Sequence, residues 1–327
     1  MKLPRRKFLH LAAGAAALSA VPGIARAQAY PTRPVTMIVP FAAGGPNDRI
    51  ARIMAERMSI SLGQQVGIEN IDGTAGSIGT GHAARAAPDG YTITIGYWGT
   101  HVANAVIYPL DYDVVKDFEP ISLLVESPFL IAASKATPAN DLREFVAWLR
   151  ANLDKASAAV RGSASHVGSV FFQRETGTHF RLVPYRGAGP AIQDLAEGRI
   201  DLALFTAGAP LPYVRKGAFK AYAVSAKRRL AVAPDIPTGA EAGFSSLDAT
   251  AWFGFFASAG TPHDIVAKLN AATVEALADP NVRSRLAELA LDIFPREQQT
   301  PAALAALQKA EIEKWWPIIK AANIKPE

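Results

Sequence analysis

Two β-type runs, Phe118 to Ser134, which Pro128 is expected to interrupt between Ile121 to Val125 and Phe129 to Ala133, and Ala251 to Ala257, divide an otherwise regular alternation of short strand-like segments and helical patterns. Alternating β and α elements with short connections build a sheet with helices on its faces, here expected to be mostly parallel. A long apolar run between two such sets reads as a crossing from one domain to the next, and the later run as the return. The expected fold is α/β with two domains and a ligand cleft between them, where small molecules commonly bind. The expected boundaries are 28–126 for the first segment of domain 1, 127–250 for domain 2, and 251–327 for the returning segment of domain 1.

Val35 to Val39 reads as the first strand. It runs into Pro40, a turn with Gly44 and Gly45, and Asn47-Asp48 ahead of Ile50, Ile53, Met54 and Met58 at helical spacing. A strand, glycine turn and helix start form an anion cradle, because the first helical N–H groups and the helix dipole favour negative charge. The stretch has neither dinucleotide-fingerprint spacing nor a P-loop Gly-Lys-Ser/Thr, and an ordinary strand-to-helix connection is the alternative.

Further strands are expected at Gln65 to Ile71 and Tyr91 to Ile95, with Ser77 capping a short helix through Ala86. The second set comprises a helix around Asp141 to Leu153, a strand ending before Gly162, a helix after His166 and one from Pro190 to Leu195. Its other strands are Phe180 to Pro184, Ile200 to Phe205 and Phe219 to Ser225. Thr261-Pro262, Asp279-Pro280 and Thr300-Pro301 each place a capping residue before proline at a helix start.

Residues 1–27 read as an export signal: Arg5-Arg6-Lys7-Phe8, an apolar run from Leu11 to Ile24 too short to span a bilayer, and Ala25-Arg26-Ala27, with cleavage expected after Ala27. The arginine pair resembles a twin-arginine signal, with general secretion as the competing route; either delivers the chain to the periplasm. The leader carries Lys2, Arg5, Arg6, Lys7 and Arg26 and no acid. Of 34 Lys plus Arg, 29 therefore remain against 29 Asp plus Glu, which removes the support for nucleic acid as a partner. Without cysteine there is no disulfide, thiolate metal site or thiol nucleophile.

The loops after predicted strands are the expected site: Phe41 to Asp48, Gly96 to His101, Gly162 to His166, Tyr185 to Gly189 and Phe205 to Gly208. They are rich in Gly, Ser and Thr, a donor-rich and weakly charged set that suits a carboxylate held by hydrogen bonds.

Several motifs in fixed order carry a resemblance: Pro40-Phe41-Ala42-Ala43-Gly44-Gly45, Gly73-Thr74-Ala75-Gly76-Ser77-Ile78-Gly79, Ala87-Pro88-Asp89-Gly90-Tyr91-Thr92, Gly99-Thr100-His101, Tyr112-Asp113 with Asp117-Phe118, and Val183-Pro184-Tyr185-Arg186-Gly187. The chain resembles the substrate-binding receptors of tripartite tricarboxylate transporters, the Bug-type family. The resemblance implies a monomeric periplasmic-binding-protein-like "Venus flytrap" that passes a small organic carboxylate to inner-membrane permease subunits, without enzyme activity, metal or cofactor. It implies a first-domain jaw of Phe41, Ala42, Gly44, Gly45 and Asn47, with Trp98, Gly99, Thr100 and His101 beside it. The opposing jaw would be Ser163, Ser165, His166, Tyr185, Arg186, Gly187, Ala188 and Thr206.

Two departures bear on the ligand. Tyr97-Trp98 stands where the family commonly has small or polar residues, and Thr206-Ala207 where it commonly has an Asp. The expected partner is a dicarboxylate or aromatic carboxylate, and an added aromatic pair with a lost acid favours an apolar or aromatic carboxylate over an amino acid, whose ammonium would want that acid.

Other readings are weaker. Carboxylate sensing without transport is one. A serine hydrolase on Ser163 or Ser165 with His166 lacks a G-x-S-x-G elbow. The histidines are too scattered for a metal site. Arg186 is either a bidentate carboxylate ligand or a partner of Asp194 or Glu197. Trp98 is either cleft wall or core. Asp48 reads as a helix-start acid, since it would repel an anionic ligand.

Overall fold

The computed structural model describes residues 30–160, 162–185 and 187–326, so the export leader and Arg186 lie outside the described residues. The chain divides into a leading unit ending at Thr32 and a main unit, Arg33–Glu327, which holds every element below.

The first set runs β1 (Val35–Val39), α1 (Pro46–Leu62), β2 (Val66–Asn70), α2 (Ser77–Ala84) and β3 (Thr92–Tyr97). A π-turn over Gly99–Ala103 then leads into the single turn α3 (Asn104–Ile107). β1 lies between β2 and β3, parallel to both, and its continuous apolar run reflects burial on both faces. The start of α2 differs from expectation: Gly76, at φ +89°, is the N-cap, and Ser77 is the first helical residue.

β4 (Phe118–Ala133) follows as one strand of 16 residues. Beyond it come α4 (Leu142–Ala151), β5 (Ser157–Val160), α5 (Gly162–Thr176), β6 (Arg181–Pro184), α6 (Ala188–Ala196), β7 (Leu202–Thr206), α7 (Leu211–Arg215) and β8 (Lys220–Val224). The chain returns on β9 (Thr250–Ser258) and closes with α8 (His263–Ala278), α9 (Pro280–Glu288), β10 (Asp292–Ile293) and α10 (Pro301–Ala321). Asp279 and Thr300 cap as expected. Pro262, however, is itself the N-cap of α8, and Thr261 turns its hydroxyl back to the Ser258 carbonyl.

The sheet order is β2-β1-β3-β9-β4-β7-β5-β6, with β10 and β8 also paired to β4. It is mixed rather than mostly parallel. The β1–β3 and β5–β7 groups are parallel, but a crossing strand and a returning strand run in opposite directions, so β4 and β9 pair antiparallel. Pro128 does not interrupt β4. It sits where the strand exchanges its β9 partner at Thr250 for β7 and β8, a point that needs no ladder donor.

Glu126 lies beside this exchange, accepting a hydrogen bond from Thr250 Oγ1 at 3.0 Å. Burial, and then the nearby Asp292 and Asp248 carboxylates, raise its pKa. A raised carboxyl pKa penalises the folded state above the ordinary value, and the penalty disappears as pH falls below it. Glu126→Gln should therefore raise Tm near pH 7.5 by roughly 1–3 °C. Differential scanning calorimetry at pH 7.5 and pH 4 checks this, since the gain should close at pH 4.

Candidate functional site

A cavity of about 670 Å³ opens beside the β4–β9 exchange, within the size range of small-ligand sites. Three helices begin on it. α1 contributes Gly45, Pro46 and Asn47; α5 contributes Gly162, Ala164 and Ser165; α6 contributes Gly187 and Ala188. The first turn of a helix lacks intrahelical partners for its N–H groups and carries the equivalent of about half a positive charge. Asp72 is the single charged side chain among the described lining residues. Any positive potential in the cavity therefore comes from its main chain, because no cationic side chain is among the described lining residues.

Asn47 strengthens this. It is 7 % exposed, lines the cavity, and its Nδ2 has no partner among the described residues. An unspent buried donor beside a helix start is suited to an anionic ligand.

Asp48 has a different task. Its carboxylate accepts from Gly44 N–H at 2.8 Å and Arg52 Nε at 2.9 Å, and from Asn70 Nδ2 at 3.0 Å. Burial alone would raise its pKa, but the bonds from Arg52, Gly44 and Asn70 outweigh burial and lower it. It is a permanently charged brace for the Gly44 turn, and it withdraws the Gly44 N–H from any ligand.

The segment Gly73–Gly76 forms another wall with an unusual backbone. Gly73, Thr74, Ala75 and Gly76 have φ of +135°, +48°, +51° and +89°. Left-handed non-glycine residues cost on the order of 1 kcal/mol or more each, and such strain clusters at ligand sites. Asn104 Nδ2 holds the segment through the Ala75 carbonyl and Ser77 Oγ, each at 3.0 Å, while Asn104 Oδ1 accepts from Ser163 Oγ of α5 at 2.6 Å.

The remaining walls are aromatic. Tyr97 packs edge-on to Phe41 at 5.5 Å and stacks on Phe253 at 5.8 Å, and Tyr108, Phe129, Tyr185 and Phe205 complete the lining. The Tyr185 hydroxyl donates to Asp194 at 2.6 Å, and burial together with that bond pushes its pKa up to about 12. It is a neutral, fixed wall.

Of the residues expected from sequence, Phe41, Ala42, Gly45, Asn47, Ser165, Tyr185, Gly187, Ala188 and Thr206 line the cavity. Others do not. Trp98 is core, edge-on to Trp315 at 5.3 Å, so the Tyr97-Trp98 pair splits between cleft and interior. His101 is fully buried, stacked on Phe256 at 4.1 Å. Thr100 is buried, its hydroxyl donating to the Tyr97 carbonyl at 3.1 Å. Gly99 acts indirectly, because a Cβ there would collide with the Tyr97 ring.

α5 starts at Gly162 rather than after His166, which places Ser163, Ser165 and His166 in its first turns. Ser163 is committed to Asn104, and the half-buried His166 is not part of the lining. Gly44 faces an adjoining chamber. Asp194 and Glu197, the sequence candidates for pairing Arg186, both pair with Arg199. Sequence reasoning placed Phe205 in an expected site loop but missed Thr74, Ala75, Tyr108, Phe129 and Phe253 as lining residues. The signal for Phe129 and Phe253 was their place within the two crossing runs, beside the point where β4 exchanges partners. Among the described residues no group of three His, Asp or Glu could hold a metal ion.

Fold and cavity fit a two-domain α/β protein of the periplasmic-binding type, with the cavity at the crossing strands. The chain belongs to the tripartite tricarboxylate transporter receptor family, whose model matches residues 50–324. It is 39% identical over 307 residues to a UPF0065 protein from the TAR-I ttuE-ttuC' intergenic region of Agrobacterium vitis, covering 93% of this chain and 88% of that one. Among solved structures it is similar to MatC from Rhodopseudomonas palustris with bound malate, at TM-score 0.80 and 41% identity, over 89% of this chain and all of that one. It is also similar to R. palustris Rpa4515 with adipate, at TM-score 0.82 and 32% identity, over 91% of this chain and all of that one.

Proposed function

We propose that this protein is a periplasmic solute-binding receptor that captures a small organic carboxylate and delivers it, as a monomer, to a tripartite tricarboxylate-type permease. The observation that carries the reading is the convergence of three helix starts on one aromatic-walled cavity whose described lining has no cationic side chain. Such a cradle stabilises a carboxylate by directed N–H donors, while the rings accommodate an apolar or aromatic body. Malate and adipate in the two structural relatives support the ligand class. The reading is of capture without turnover: Ser163 gives its hydroxyl to Asn104, so it is not oriented as a nucleophile. The proposed domains are 28–126 with 251–327, and 127–250, closing on each other about the β4–β9 exchange when ligand bridges the helix starts.

The test is a thermal-shift and calorimetric screen of mono- and dicarboxylates, with small-angle scattering on the best ligand. Binding should raise Tm and reduce the radius of gyration; a panel in which no carboxylate shifts Tm would overturn the reading. Within it, Asn47→Leu removes a donor of matched volume and should weaken binding about tenfold, the worth of one hydrogen bond to a charged group. Calorimetry on the same ligand checks this.

A further inference from the structure

The cleft continues past the cradle into a second chamber of about 500 Å³, and the two share Gly45, Pro46, Ala188, Thr206, Ala209 and Phe253 as a common wall. The body of the second chamber is apolar, with Ile192, Pro212, Leu289 and Leu291 on its lining. Its charged lining residues are Arg49, one turn into α1, and Lys216, at the end of α7. Both are exposed, and neither forms an ion pair among the described residues; Arg49 Nε donates to the Gly44 carbonyl at 3.2 Å. No acidic residue is among the described residues that line this chamber. One cation therefore comes from each side of the cleft, and both line the second chamber and not the first.

We infer that the second chamber is a distal subsite for the far carboxylate of an elongated α,ω-dicarboxylate. One carboxylate rests on the helix starts, the apolar spacer passes the Phe253 ring, and the second carboxylate is held between Arg49 and Lys216. This rests on the carboxylate-receptor reading above and narrows it to diacids whose ends are separated by several methylenes or a ring. It also gives the second carboxylate a role in closure, since a charge shared by cations on opposite sides draws them together.

The test is titration calorimetry of the mature protein with straight-chain diacids of four to ten carbons and the monoacid matching each length. The quantity read is the ratio of diacid to monoacid affinity at each length. The wild-type ratio should rise with length to about tenfold, the size of a partly desolvated ion pair. The ratio should fall toward one in Arg49→Gln with Lys216→Gln, and invert in Lys216→Glu. No diacid preference at any length, or a preference unchanged in the variants, overturns the distal subsite while leaving the receptor reading intact. Failure of both series to bind removes the receptor reading and the subsite with it.

Discussion

Ala188→Asp should abolish carboxylate binding while leaving Tm unchanged or slightly raised. Ala188 is the first residue of α6, after an extended Gly187 N-cap, and it is half-buried on the cavity lining, where a larger side chain can turn into the cavity. For the free protein the change is favourable, because an acid in the first turn of a helix complements the dipole by about 0.3–1 kcal/mol. For the complex it is the opposite, because Ala188 lines the cavity where the ligand carboxylate would sit. Two like charges about 4 Å apart at an effective dielectric of about 20 repel by about 4 kcal/mol, and solvent in the cleft reduces this to roughly 3 kcal/mol. The expected loss is more than about a hundredfold in Kd. Calorimetry and thermal melts on the same sample read the two effects separately. Affinity within fivefold of wild type would mean that the α6 start does not meet the ligand.

The second large effect is on acid stability. His101 has no exposed surface, and burial pulls its pKa down to about 3. It stacks on Phe256, meets Phe118 edge-on at 4.9 Å, and has Thr100 Oγ1 2.9 Å from Nδ1. Above pH 6.5 neither the folded nor the unfolded state is charged at this residue. As pH falls below 6.5 the unfolded chain takes up the proton and the folded chain does not, so stability is lost progressively until pH approaches the folded value near 3. At pH 4 this single group removes about 3 kcal/mol. Urea unfolding between pH 7 and 4 should show that loss in wild type and its absence in His101→Phe. Nuclear magnetic resonance of the His101 ring gives an independent reading, with no titration expected between pH 7 and 4. A midpoint near 6 would sink the idea.

His101 also shows where sequence reasoning ends. A polar residue after a predicted strand reads as a loop donor. Its burial depends on distant partners: Phe256 on the returning strand, and Gln308 of α10, which bonds the His101 carbonyl at 3.0 Å. Neither is local, so no pattern around residue 101 reveals it. Elements specified by local chemistry were legible. The bounds of β1 follow from its apolar run, and the Asp279 and Thr300 caps from their side chains. Pro128 misled because a missing N–H usually breaks a strand, whereas here it falls where the partner changes. Tyr97 and Trp98 could not be separated by type, since one faces the cleft and the next faces Trp315. The positive φ of Thr74 and Ala75 had no sequence signal, because neither residue type favours that region.

The cradle is built from main chain at helix starts, and the walls from side chains on other elements. Point substitutions cannot readily delete a backbone N–H, but they can exchange Tyr97, Phe129, Phe205 or Phe253 for rings or chains of another shape. Anion capture is therefore robust to genetic drift, while ligand choice is open to it. In the proposed receptor one scaffold is retuned to a new acid by a few changes on the aromatic walls, with the charge-recognition chemistry inherited unaltered.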